Sequence, residues 1–240
     1  MRIRRVGIVG LLACGLSLAA ASGIAQGRAT RLRGVDVSNY QPSVDWGAVR
    51  RSGRRFAFVL ATDGPSFSSP TFRTQYRGAK AAHLIRGAYH FGRPGSGTAK
   101  AQADRFTARV GNTHDGVTLA PALDMEPNPH GPACYGFTTQ HMVKWIRVFL
   151  AEVHRRTGRV GILYTGPGFW QSCTANSTQF THHHLWTADY GVSTPHSYGG
   201  WPAWTFWQYS STGHVPGIAG NVDVDLFKGD GRRLHALARG

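Results

Sequence analysis

Acid is scarce in this chain of 240 residues. The 12 Asp+Glu stand against 27 Lys+Arg, and only Glu126 and Glu152 are glutamates. The deficit leaves a formal charge of +15 and excludes an acidic solvating tail. Lysine is sparse too. Apart from Lys80, Lys100, Lys144 and Lys228 the cations are arginine, spread along the chain and not gathered in one basic arm. Such spread charge speeds encounters with anionic material without selecting a partner. No recognised nucleic-acid motif accompanies it, so nucleic acid is not an expected partner. Charged residues reach only 16%, while 41% are hydrophobic and 11% aromatic, which excludes a disordered chain and supplies a core. Beyond the N-terminus no apolar run approaches the roughly 18 residues that a membrane span needs.

The first 25 residues follow a different pattern. Arg2, Arg4 and Arg5 precede an apolar stretch from Val6 to Ala21 that is interrupted by Gly10 and Gly15. Small residues come next, with cleavage expected after Ala21 or Ala25, which is the layout of a secretory signal peptide. The stretch is too short and broken to anchor well. Leu11-Leu12-Ala13-Cys14 offers lipoprotein attachment as a minor alternative. Removing the segment takes three Arg and no acid, so the secreted chain carries +12. Anionic cell-wall polymers are then partners its surface charge would meet. Removal also leaves two cysteines, Cys134 and Cys173, each read in a loop after a strand; in an oxidising compartment such a leftover pair is expected to bond.

From Arg33 onward, short apolar strands alternate with helical stretches. Gly34–Ser38, Phe56–Ala61, Gly87–Phe91, Val117–Glu126 and Val160–Thr165 read as strands, separated by helices at Trp46–Arg50, Phe72–His83 and Ala99–Val110. The longest helix opens at Thr138 and stops at Gly158. After Leu185–Tyr190 helices are no longer read, and Trp204–Tyr209 and Val222–Phe227 read as strands. Nearly continuous apolar strands between helices imply a parallel sheet covered on its faces. About eight strands without a linker or repeat point to one irregular α/β barrel over residues 31–240, its last part helix-poor.

Against so few acids, their placement is informative. Asp124 and Glu126 end one strand two residues apart, so they face the same way. Asp36, Asp189 and Asp223 fall at other strand ends, and in a barrel those ends converge on one face where active sites sit. Paired carboxylates hold one another's protons, and a protonated acid near neutrality is what glycoside cleavage needs. Glu152 sits beside His154 and Arg155 within the long helix and reads as a surface carboxylate. Tyr89, Tyr164, Trp186 and Trp207 lie in the same strand ends, with Tyr40, Phe91, Tyr190 and Tyr209 in or near them, as a core or a sugar-stacking trough requires. His182-His183-His184 lacks the spacing of a metal site, so no metal or cofactor is expected.

Taken together, these residues resemble the family 25 glycoside hydrolases, the Chalaropsis-type lysozymes. The matching stretches are Asp36–Gln41, Gly87–Phe91, Ala122–Glu126, Leu163–Thr165 with Phe169-Trp170, Leu185–Tyr190, Trp207–Tyr209 and Val222–Phe227, in the family's order. The resemblance implies a barrel of five βα units with a final all-strand portion. It also implies hydrolysis of the β-1,4 bond between N-acetylmuramic acid and N-acetylglucosamine in peptidoglycan. Carried over by motif, Glu126 is the general acid, Asp124 its partner, and Asp36 and Asp223 complete an acidic trough, with Tyr89, Tyr164, Trp186, Asp189, Trp207 and Gln208 at the substrate. Adjacent Asp124 and Glu126 favour assistance by the substrate's own acetamido group; inversion with Asp36 or Asp223 as base across the ring is the competing scheme. The stretch after Asp63 departs from the family in lacking a Tyr. A non-catalytic wall binder and a chitinase-like enzyme are the alternatives. The first would need Asp124 or Glu126 missing, and the Asp36 and Asp223 motifs stand against the second. A monomer is expected.

Overall fold

Parity along the strands divides the apolar residues into two sets, and the two sets make two cores. In the computed structural model, which describes residues 31–240, Phe56, Phe58, Ala122, Ile162, Trp186, Phe206 and Phe227 pack in one cluster. Their sequence neighbours Ala57, Val59, Leu123, Leu163, Leu185 and Trp207 belong to another. Alternate residues of a strand face opposite ways, so the first cluster fills a barrel and the second lies between barrel and helices.

The barrel is closed by eight strands. In chain order the elements are β1 (Arg31–Val37), α1 (Trp46–Arg51), β2 (Arg54–Asp63), β3 (Phe67–Ser68), α2 (Phe72–Ala81), β4 (Ile85–Phe91), α3 (Ala99–Val110) and β5 (Ala122–Asp124). They continue with α4 (Thr139–Thr157), β6 (Ile162–Thr165), α5 (Pro167–Thr174), β7 (His184–Ala188), β8 (Phe206–Gly213), β9 (Val222–Lys228) and α6 (Gly231–Arg239). The sheet runs β1-β9-β8-β7-β6-β5-β4-β2 and closes by β1 pairing with β2, while β3 folds back on β2 alone. The pairs that close the barrel are all parallel except those of β9, which is antiparallel to β8 and β1; the β2–β3 pair beside it is antiparallel too. The connection from β8 to β9 is short and returns the chain antiparallel, whereas residues 189–205 between β7 and β8 are long enough to cross over without a helix and keep that pair parallel.

Five helices follow the first five barrel strands, and β7, β8 and β9 follow one another without any, as the sequence implied. Thr138 accepts from His141 N at 3.3 Å to open α4, and Gly158 ends it at φ 65°, the left-handed position glycine allows.

Three details differ from expectation. The strand read from Val117 to Glu126 shrinks to Ala122–Asp124, because Pro121 has no N–H for the ladder; upstream only Thr118 bridges to Arg86. Cys173 lies in α5, not in a loop. A sixth helix, α6, follows β9. Asp230 caps it, and its Leu234 and Ala238 enter the barrel cluster with Phe206 and Phe227, closing the end opposite the strand C-termini. Glycine makes room inside: a Cβ on Gly87 would lie 2.3 Å from the Phe58 ring. The expected signal peptide and Cys14 lie outside the described residues, within which no helix is long and apolar enough to cross a membrane.

Candidate active site

At the C-terminal ends of the parallel strands the barrel opens into a trough of about 610 Å³. The same parity that buries Phe58 and Ala122 turns Asp36, Asp124 and Asp223 into it, and Glu126 follows two residues after Asp124. Of twelve acids in the sequence, five line this one cavity, Asp63 being the fifth.

Each acid is held differently. Asp36 is 3% exposed and accepts Gln208 Nε2–H on Oδ2 at 2.8 Å. Gln208 is in turn fixed by the hydroxyls of Tyr164, at 2.8 Å, and Tyr190, both donating to its Oε1. Asp124 is 4% exposed, and its Oδ1 is buried with no hydrogen-bond partner. Glu126 is half-buried at the rim of β5.

Burial in a site of one charge sign sets their protonation. The Glu126 carboxyl is pushed up to about 7, first by burial and then by the charge of Asp223. Burial raises Asp124 well above the ordinary carboxylate range, with Glu126 as the next cause, and raises Asp36 likewise, with Asp223 and Asp225 next. Asp223 rises to about 6, again by burial. Burial thus outweighs the mutual repulsion of Asp124 and Glu126 that the sequence emphasised. One cation opposes the trend: Arg93 lowers both Glu126 and Asp124. It is clamped by Asp63 through Nε–Oδ1 at 2.6 Å and Nη2–Oδ2 at 2.7 Å, over the Phe91 ring.

An acid protonated near neutrality, beside a buried carboxyl with an unused acceptor, on a floor of Trp186, Tyr89 and Tyr164, suits acid-catalysed cleavage of a glycoside. The model of the glycosyl hydrolases family 25 matches residues 35–218. The chain belongs to that family. It is therefore a glycoside hydrolase. It is 42% identical over 209 residues to Lysozyme M1 of Streptomyces globisporus, covering 86% of this chain and 71% of that one. It is 42% identical over 202 residues to an N,O-diacetylmuramidase of Chalaropsis sp, covering 80% of this chain and 96% of the other. The crystal structure of a bacterial lysozyme from Streptomyces coelicolor superposes with a TM-score of 0.85 at 42% identity, covering 87% of this chain and 97% of the other.

Within this family 25 trough, Tyr89, Tyr164, Trp186 and Gln208 line the cavity as expected from the sequence. Two expected substrate residues do not. Trp207 neighbours Gln208, so if one faces inward the other cannot; Trp207 packs in the outer cluster and donates Nε1–H to the Asp189 carbonyl at 2.8 Å. Asp189 follows Ala188 by one residue, and its carboxylate accepts from His196 N and contacts His196 Nδ1, each at 2.8 Å. Asp63 and Arg93 of the lining were missed, as was Asp225 beneath it. Arg93 and Asp225 each sit two residues beyond a recognised position, so the i, i+2 rule applied to Phe91 and Asp223 finds them.

Cys134 and Cys173 form a disulfide, with Cα atoms 5.3 Å apart and a separation of 39 positions in sequence. It joins α5 to the loop after β5, the loop whose Pro127, Pro129 and His130 form one wall of the trough. His183, central in the triple-histidine run, uses Nδ1 on the Gly161 carbonyl at 2.9 Å.

Proposed function

We propose that this family 25 hydrolase is a secreted lysozyme that cleaves the β-1,4 bond between N-acetylmuramic acid and N-acetylglucosamine in peptidoglycan. One observation carries the assignment of the acid: Glu126, at a barrel strand's C-terminal end in an acid-lined trough, has its carboxyl pushed up to about 7. Glu126 gives its proton to the glycosidic oxygen as the bond to the muramic C1 breaks. The carbonyl oxygen of the muramic acetamido group attacks C1 from the opposite face and forms an oxazolinium ring. Asp124 accepts the acetamido N–H on its unpartnered oxygen and stabilises the positive charge. Water then adds to C1, its proton returns to Glu126, and the configuration is retained.

The same reading makes the protein a monomer that works without a cofactor. Its basic surface holds it near anionic wall polymers, and residues 1–25 direct export. The names of the similar proteins, a lysozyme and an N,O-diacetylmuramidase, support the substrate class.

The test is digestion of purified peptidoglycan by the protein and by Glu126→Gln, with mass spectrometry of the reducing ends. New N-acetylmuramic acid ends are expected, reduced on the order of 10²–10⁴-fold by the substitution. N-acetylglucosamine ends would overturn the bond assignment. Wall binding without release by either protein would make the chain a binder.

A further inference from the structure

Beneath the trough β9 turns a second acid into the barrel. Asp225 follows Asp223 by two residues on the same face, is 0% exposed, and is not part of the trough lining. Its register neighbours are Gly34 on β1 and Gln208 on β8. Its Oδ1 accepts Nε1–H of Trp186 at 2.8 Å, whereas Oδ2 is buried without a donor from any amide, hydroxyl or cation. The neighbouring carboxyl is that of Asp36: Gly34, two residues before it on the same face of β1, and Gln208, which donates to it, are the two residues paired with Asp225. Two carboxyls can share a hydrogen bond only with a proton between them, and that proton belongs to the pair.

Both ends of this chain of contacts lead into the trough. Trp186 stacks on Phe58 with ring centres 4.1 Å apart and meets Tyr164 edge-on at 4.6 Å, forming the aromatic floor. Asp36 faces the trough from β1 and is tied to Gln208. Stability alone gives no reason for an acid here. A buried carboxyl between two other acids, with no cation acting on it, is less favourable than an apolar residue of its size. Unfavourable buried acids persist where the site needs them.

We propose that Asp225 is a positioning residue for the reaction. One oxygen clamps the Trp186 floor and the other shares a proton with Asp36, so a single acid sets both the surface under a sugar and the orientation of Asp36 beside it. The inference rests on the glycoside-hydrolase reading of the trough. The ionisable groups facing the pair are Asp223 on β9, Tyr89 on β4, Tyr164 on β6 and Tyr190 after β7.

The test compares Asp225→Leu and Asp225→Asn in the full chain, measuring kcat and KM on peptidoglycan from pH 5 to 9. Tryptophan emission is read alongside, against Trp186→Phe as the reference for that ring. Leu removes both contacts and is expected to lower kcat roughly 10–100-fold, the usual effect of losing such a support. Asn keeps an oxygen for Trp186 and offers Nδ2–H to Asp36, so it recovers most of that loss. It also shifts the alkaline limb of the profile to lower pH, because a neutral amide no longer helps to hold the proton on Asp36. A merely structural role predicts equal loss at every pH. Wild-type turnover by Asp225→Leu, or an unmoved profile in Asp225→Asn, overturns the proposal. If Leu does not fold, the Asn profile decides. If the unmodified chain releases nothing from peptidoglycan, the functional reading fails instead. The emission still decides the clamp: a Trp186 signal changed by Leu and kept by Asn supports it, and an unchanged one removes it.

Discussion

The two ends of one barrel are closed by opposite means. At the strand C-termini, carboxyl groups crowd in and beneath a cavity, and two of their oxygens, Asp124 Oδ1 and Asp225 Oδ2, are buried with no amide, hydroxyl or cation donating to them. At the other end α6 lays Leu234 and Ala238 against Phe206 and Phe227. There a buried Arg159 satisfies the helix's last carbonyls, with Nη2 donating to Leu237 O at 2.7 Å and Nη1 to Ala238 O at 3.2 Å. The same Nη1 also reaches Thr113 O at 2.7 Å. Among the described residues, the buried carboxyl oxygens without such a donor are both at the open end. A buried acid left without a donor is unfavourable for folding, so its place marks where interactions are kept for something other than the protein itself.

Substitutions at the two ends should therefore separate activity from stability. The largest expected effect is that of Asp124→Asn, which removes the charge proposed to stabilise the oxazolinium ring. We expect kcat to fall on the order of 10²–10³-fold. The melting temperature should hold or rise, because a buried carboxyl without a partner has been replaced by a neutral amide. A variant that melts lower and keeps its activity would break the comparison. At the closed end, Arg159→Leu strands the carbonyls of Thr113, Leu237 and Ala238, and should lower stability by roughly 2–4 kcal/mol. Below its melting temperature kcat/KM on peptidoglycan should stay within about 3-fold, since no trough residue touches Arg159. A loss of activity without a loss of stability would show that α6 communicates with the trough.

The open end was more legible in the sequence than the closed one, and the reason is physical. Acids at strand ends in an acid-poor chain stand out individually, and the two-residue spacing of Asp124 and Glu126 already fixes their common face. The same rule went unused at Trp207 and Asp189, whose neighbours Gln208 and Ala188 take the inward position. Arg93 follows from Phe91 by the same spacing, but its ion pair with Asp63 at the end of β2 joins residues 30 apart in sequence, which no local pattern shows. Nor could a pattern of residue types show that burial, more than the adjacent charge, lifts Glu126. The helix α6 was lost for a different reason. Its apolar residues are few, because a plug needs only Leu234 and Ala238 on its buried side, and the barrel it fills exists only after folding.

The smallest expected effect is a dependence of stability on pH that belongs to the open end. Glu126 and Asp225 keep their protons to about pH 7 and 8 when folded, whereas unfolded carboxyls lose theirs near pH 4. Between those limits the native state binds more protons than the unfolded one, so stability falls as pH rises. His90 and His183 act in the opposite direction, since burial lowers both to about 4 and their unfolded forms take up protons below about pH 6.5. Their contribution is complete above that pH, which leaves the acids alone from pH 6.5 to 8.5. Stability should drop across this interval by roughly 1–3 kcal/mol. Chemical denaturation at the two pH values measures it. Asp225→Asn should reduce the drop and Arg159→Leu should leave it intact, because no acid at the closed end titrates in the interval. An equal drop in the unmodified and Asp225→Asn proteins would exclude Asp225 as its source and leave it to the acids that line the trough.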